Sequence, residues 1–142
     1  MSSLHQRILV CTDGSEVSDH AVQHAQALCT DSSELHVCMI GLISHWTHPD
    51  TLSSTQFERI KQETRDRLEL EMAKLQTPDT VKTHAHVRLG RVDTEILRLA
   101  DDLDASMIVI GNRGMGSLQR MLLGNDAESV IRHAACPVLV VR

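Results

Sequence analysis

The stretch SMIVIGNRGMGSLQRMLLGNDAESVIRHA, Ser106–Ala134, decides the fold of this chain. It begins with an apolar, β-branched run over 106–111 and then passes four glycines, Gly111, Gly114, Gly116 and Gly124. Helical spacing follows, with Ala127, Val130, Ile131 and Ala134 on one face. A strand that hands over to a helix through glycines is the repeating unit of parallel sheets.

The same alternation extends in both directions. Short β-branched runs predict strands over 7–12, 34–42, 81–89, 106–111 and 137–142. Between them, Val17, Ala21, Ala25 and Leu28 share a helical face, as do Phe57, Ile60, Thr64, Leu68, Met72 and Leu75. Thr55-x-x-Glu58 reads as a capping box for the second of these helices. A third helix follows Gly90, with Ile96, Leu97, Ala100 and Leu103 inward. Strands that alternate with helices imply right-handed crossovers and a parallel, doubly wound α/β sheet. The first and fourth strands are the least polar and are expected at its centre. The stretch 41–54, with Pro49, is the only sizeable loop, and one domain is expected over 1–142.

Composition narrows the function classes. A formal net charge of −5 and an aromatic fraction of 1% leave neither the basic surface nor the stacking platforms that nucleic acid requires. The apolar runs are far shorter than the roughly 20 residues of a membrane helix, and the first residues lack a secretory pattern, so a cytoplasmic protein is expected. Cys11, Cys29, Cys38 and Cys136 show no C-x-x-C pairing and read as reduced core residues.

In a doubly wound sheet, ligands sit beyond the carboxyl ends of the strands where the strand order reverses. Two segments end there, CTDGSEVS after the first strand and GNRGMGSLQRMLLGN after the fourth. The second matches neither G-x-x-x-x-G-K-[ST] nor G-x-G-x-x-G. Its glycines still allow backbone N–H groups to approach a phosphate, beside the positive end of a helix that starts near Asn125. A structural reading stands beside this one, in which Gly111 and Gly114 make a sharp exit and Asn125-x-x-Glu128 caps the helix. Asp13 is likewise both a turn residue and a candidate ligand contact.

These residues resemble the universal stress protein family. GNRGMGSLQRMLLGN fits the family's G-x-x-G-x9-G-[ST] loop except at its last residue. RILVCTDGSEVSDHAVQHA is similar to the family's opening, LGRVDTEILRLADDLDASMIVIGNRG to its third helix and fourth strand, and RHAACPVLVVR to its ending. The resemblance implies a Rossmann-like three-layer sandwich, adenine nucleotide alpha hydrolase-like, with five parallel strands in the order 3-2-1-4-5. It implies an adenine nucleotide, ATP or AMP, with or without Mg²⁺. Asp13 would take the ribose hydroxyls, Thr12 and Ile40 would flank the adenine, and Gly111, Gly114, Gly124 and Asn125 would surround the phosphates. It also implies a homodimer through the last strand, which would cover an apolar edge.

The departures from the pattern bear on the phosphates. Asn125 stands where Ser or Thr is usual, so an amide replaces a hydroxyl. Asp126 favours the helix start but repels a phosphate there, and Arg113 and Arg120 offset that charge if they point inward. Ala127 lacks a hydroxyl found in some relatives, and Ser106 replaces an Asp in what reads as a structural change. Three functions compete: a nucleotide-binding stress-response module, a dimeric interaction module that does not retain nucleotide, and a slow ATPase. The last has no Walker lysine and no carboxylates for Mg²⁺ beyond Asp13 and Asp126, so no catalytic residue is nominated.

No metal site is expected. His45 and His48 lie near Asp50 without a third ligand at a recognisable spacing. His24, His36, His84, His86 and His133 read as surface or half-buried residues. The run ERIKQETRDRLELE reads as the solvated face of the second helix with i,i+4 pairs.

Overall fold

The computed structural model describes residues 3–43, 52–112 and 125–142. Five strands alternate with four helices: β1 (Arg7–Cys11), α1 (Glu16–Leu28), β2 (Glu34–Leu42), α2 (Ser54–Ala73), β3 (Lys82–Gly90), α3 (Val92–Leu103), β4 (Met107–Gly111), α4 (Asn125–His133) and β5 (Val138–Val141). The strands form one sheet in the order β3-β2-β1-β4-β5, every pairing parallel. Each expected strand is present: β2 keeps its expected bounds, β3 is shifted by one residue, and β1, β4 and β5 are trimmed by one or two.

Both faces of the sheet are buried along its centre. Ile8, Val10, Leu35, Val37 and Met39 pack with Ala21, Val22 and Ala25 of α1 and with Leu68 of α2. On the other face, Leu9, Cys11, Cys38, Ile40, Ile108 and Ile110 meet Ile96 and Leu99 of α3 and Val130 of α4. Ile8, Leu9 and Val10 have no exposed surface, which is why β1 reads as an unbroken apolar run rather than an alternating one. Among the described residues, no helix is long and apolar enough to cross a membrane.

Local chemistry sets the helix ends. Ser15, with φ −75° and ψ 162°, caps α1 by accepting from Ser18 N, and Glu16 and Asp19 complement the dipole in the first turn. The capping box of α2 is not Thr55 with Glu58 but Ser53 with Gln56. Ser53 has the extended backbone (φ −66°, ψ 154°) that a cap requires, whereas Thr55 already lies within the helix. Phe57 and Ile131, expected inward, are 37% and 45% exposed, because α2 buries only Thr64 and Leu68 and the buried stripe of α4 runs through Ala127 and Val130. Asn125 is the first residue of α4, and the residue before it lies outside the described residues.

All four cysteines are free, but only Cys11 and Cys38 are buried; Cys29 and Cys136, after the ends of α1 and α4, are half-buried. The hydroxyl of Ser106 accepts from Arg7 N and lies 2.9 Å from the carbonyls of Leu4 and Arg7, tying the start of β4 to that of β1.

Candidate functional site

The carboxyl ends of β1, β2 and β4 meet where the strand order reverses. Thr12 is fully buried: its N–H donates to Cys38 O at 3.0 Å, and its hydroxyl accepts from Gly14 N at 3.1 Å. Asp13 Oδ1 accepts from Ser15 N at 2.8 Å and from the Ser18 hydroxyl at 2.9 Å, the side-chain turn expected of an Asp in this position. The Ser18 hydroxyl also lies 3.0 Å from Thr12 Oγ1 and accepts from Asp13 N, so one buried serine holds the whole turn. Gly14 follows at φ +82°, where a side chain would be strained.

A cleft of about 280 Å³ opens beside this turn, between the ends of β1 and β2 and helix α2. Asp13, Met39, Ile40, Gly41, Leu42, Ile60, Glu63, Thr64 and Arg67 line it. Its volume is at the small end of ligand clefts, which run from about 300 to 1,000 Å³. A Cβ on Gly41 would run into Leu89 and stand 2.6 Å from Thr64 Oγ1, so glycine here lets α2 close over the cleft floor. Apolar Met39 and Ile60 suit the face of a flat ring, and Asp13, Glu63 and Arg67 bring charge to its rim, while the Ile40 side chain packs on the opposite face under α3.

Of the expected site residues, Thr12, Asp13, Ile40, Gly111 and Asp126 fall around this end of the sheet. Gly111 ends β4 under α1, where a Cβ would stand 2.8 Å from Val17 Cγ1; the glycine there is needed for close packing. Asp126 lies in the first turn of α4. The Cys11 thiol is raised well above its ordinary pKa, first by the hydrogen bond with Cys38, then by burial and the charge of Cys38, then by the carboxylates of Asp13 and Asp126. For Asn125 only its place at the start of α4 is described, and Arg113, Gly114 and Gly124 lie outside the described residues, as do Arg120, His45, His48 and Asp50.

Arg67 was not legible in the sequence as part of this site. Its Nη2 donates to Asp13 O at 2.6 Å across 54 positions. The charge run of α2 stays exposed along most of its length, with Gln62 bonding Asp66, but Glu63 and Arg67 also line the cleft, and the Glu71 side chain, paired with Lys74, is only 11% exposed. A hydropathy pattern ranks all these residues alike.

A second constellation lies lower on the sheet. The parallel register sets His36 opposite His84 and Cys38 opposite His86, and Glu34 lies two residues before His36 on the same face. His36 is 5% exposed, a correction to its reading as a surface or half-buried residue, because it sits on an interior strand with the other two rings over it. His24 and His133 instead stay on the surface, each bonding the carbonyl four residues earlier.

His36 Nδ1 lies 2.8 Å from His86 Nε2, and His36 Nε2 lies 3.2 Å from Glu34 Oε1. With both rings neutral, His86 donates to His36 and His36 donates to the carboxylate. Burial pushes His36 below its ordinary pKa against the pull of Glu34. Burial, then His36, His84 and Arg88, push His86 down to about 4. Burial alone would raise Glu34, but the His36 hydrogen bond and the charges of His36, Arg7 and His84 bring it below the usual carboxylate range. Glu34, His36 and His84 each offer one ligand atom, all within 4.8 Å of one another.

Known proteins resemble this chain along nearly its whole length. The model of the universal stress protein family matches residues 5–142. Universal stress protein G of Escherichia coli O157:H7 is 39% identical over 130 residues, 89% of this chain and 90% of that protein. The solved structure of the hypothetical protein MJ0577 superposes with a TM-score of 0.83 at 26% identity, covering 98% of this chain and 96% of that one. A universal stress protein solved in complex with cAMP superposes at 0.63 with 24% identity, covering 99% of each chain. With its strand order, its glycine loop and a family match over 5–142, the chain belongs to the universal stress protein family.

Proposed function

We propose that this chain is a single-domain, cytosolic stress-response module that binds an adenine nucleotide, ATP or AMP, at the carboxyl ends of β1, β2 and β4. The observation that carries this reading is the cleft beside Asp13, whose apolar lining of Met39 and Ile60 adjoins a carboxylate fixed by its own turn. Such a pairing suits a base laid on the floor with its ribose hydroxyls against the carboxylate. A family member solved with cAMP supports an adenine ligand for this fold. The phosphates would then run towards the glycine loop and the start of α4, with Gly111, Arg113, Gly114, Gly124 and Asn125 around them and with or without Mg²⁺. Asp126 in the first turn of α4 opposes their charge, so the base and ribose carry more of the affinity here than the phosphates do.

Calorimetric titration with ATP, ADP and AMP, with and without Mg²⁺, tests the proposal; no heat at hundreds of micromolar nucleotide would return the chain to a nucleotide-free interaction module. Asp13→Asn keeps the acceptor of the turn but removes the charge, and is expected to weaken binding about tenfold, or ~1.4 kcal/mol. Unchanged affinity in that variant would place the ribose elsewhere.

A homodimer through β5 belongs to the same proposal. Val138, Leu139 and Val140 are only partly buried at the sheet edge, and pairing with a second copy would cover them. Sedimentation of a monomer at micromolar concentration would overturn that part.

A further inference from the structure

We propose that Glu34, His36 and His84 form a binding site for a divalent transition-metal ion, with Zn²⁺ the ion their chemistry suits. The site is independent of the nucleotide cleft. It lies at the start of β2 and β3, and His36 stands four residues before Ile40, about 13 Å along the strand at the usual rise.

Geometry carries the proposal. A tetrahedral ion with bonds of about 2.0–2.1 Å holds its ligand atoms about 3.3 Å apart. Glu34 Oε1 lies 3.2 Å from His36 Nε2 and 3.8 Å from His84 Nε2, and the three residues each offer a ligand atom within 4.8 Å of the other two. Two imidazoles and one carboxylate are a donor set that Zn²⁺ accepts, with a fourth position left for water. That position faces solvent, since the side chain of His84 is 45% exposed and that of Glu34 is 32% exposed.

The surroundings match what metal ligands need. Arg7 Nε lies 3.5 Å from Glu34 Oε2, which leaves Oε1 towards the two rings, and Asp104 shares the charge of Arg7 at 3.7 Å. When the ion takes the place of the proton on His36 Nε2, that proton moves to His36 Nδ1 and the His86 proton moves from Nε2 to Nδ1, so that His36 Nδ1 now donates to His86 Nε2. A ligating histidine held through its other nitrogen by a hydrogen-bond partner, here half-buried His86, is the arrangement that fixes ring orientation at metal sites.

Hydrogen bonding alone explains His86, His36 and Glu34, but it leaves His84 unexplained. The His84 ring stacks on His36 with centroids 4.6 Å apart and planes 13° apart, and its Nε2 lies 3.8 Å from Glu34 Oε1, beyond hydrogen-bond distance. To close on an ion, this exposed ring has to turn out of its stack, while buried His36 stays in place.

The test uses the untagged full chain, stripped with a chelator. Zn²⁺ affinity is read by competition with a chromophoric chelator, and the coordination geometry by the visible d–d bands of added Co²⁺. The expected result is one equivalent of Zn²⁺, tetrahedral Co²⁺ bands, and at least a tenfold loss of affinity in both His84→Ala and Glu34→Gln. His84 is exposed, so His84→Ala keeps the fold, which circular dichroism checks. Wild-type protein that takes up no Zn²⁺ would overturn the proposal and leave the cluster as a hydrogen-bonded relay only. Binding that both substitutions leave unchanged would overturn it as well, by placing the ion at other histidines.

Discussion

The two faces of β2 are built from opposite chemistry on one strand. Leu35, Val37 and Met39 point to the side of α1 and α2 and are at most 1% exposed. Glu34 and His36 point the other way, where the register brings His84 and His86 of the edge strand beside them. Further along that second face, Cys38 and Ile40 return to an apolar core under α3. A parallel sheet tolerates polar residues on a strand face only where no helix presses on it, and the polar part of β2 lies beside the edge strand at its lower end. One face of β2 therefore supplies stability, and the other has room for a site.

The first way to break this comparison is on the apolar face. Leu35 is fully buried, and Leu35→Ala is expected to cost about 2–5 kcal/mol in urea unfolding, through lost burial and the cavity left behind. A cost near zero would mean that this face is not the main support of the strand.

A smaller effect is expected on the imidazole face, and it depends on pH. His86 falls to about 4 in the fold from an ordinary 6.5, under burial and the neighbouring His36, His84 and Arg88. Glu34 and Arg7 face the same cluster, and Asp102 pairs with Arg88 at 3.1 Å. Between those two values the unfolded chain binds the proton and the folded chain does not. Stability is therefore lost as pH falls from 6.5 towards 4, and the loss levels off below. His36, lowered in the same direction, adds to the slope. In metal-free protein, urea midpoints measured across this range should fall with pH in the wild type and fall less in His86→Gln. Equal slopes would show that His86 does not titrate in the buried cluster.

Much of the architecture was legible because it is local. Strand-like runs of six to nine residues alternate with helical spacing, and glycines stand where strands hand over to helices, so strands, helices and sheet type follow from periodicity. The turn at Asp13 was legible for the same reason, since its bonds to Ser15 and Ser18 span two and five positions. Cap positions were less so: Ser53, Ser54 and Thr55 are chemically similar, and only the backbone angles at Ser53 single it out.

What the sequence by itself determined, then, is the order of elements, the family loop and the position of the candidate nucleotide site. The tertiary structure alone decided which distant side chains meet. Arg67 reaches the carbonyl of Asp13 across 54 positions, and His36 meets His86 across 50. Parallel strands joined through a long helical crossover carry no local signal of their register. A shift of one residue would turn His84 and His86 to the opposite face, away from His36. The packing of both strands against the helices sets that register, and no spacing within either strand records it.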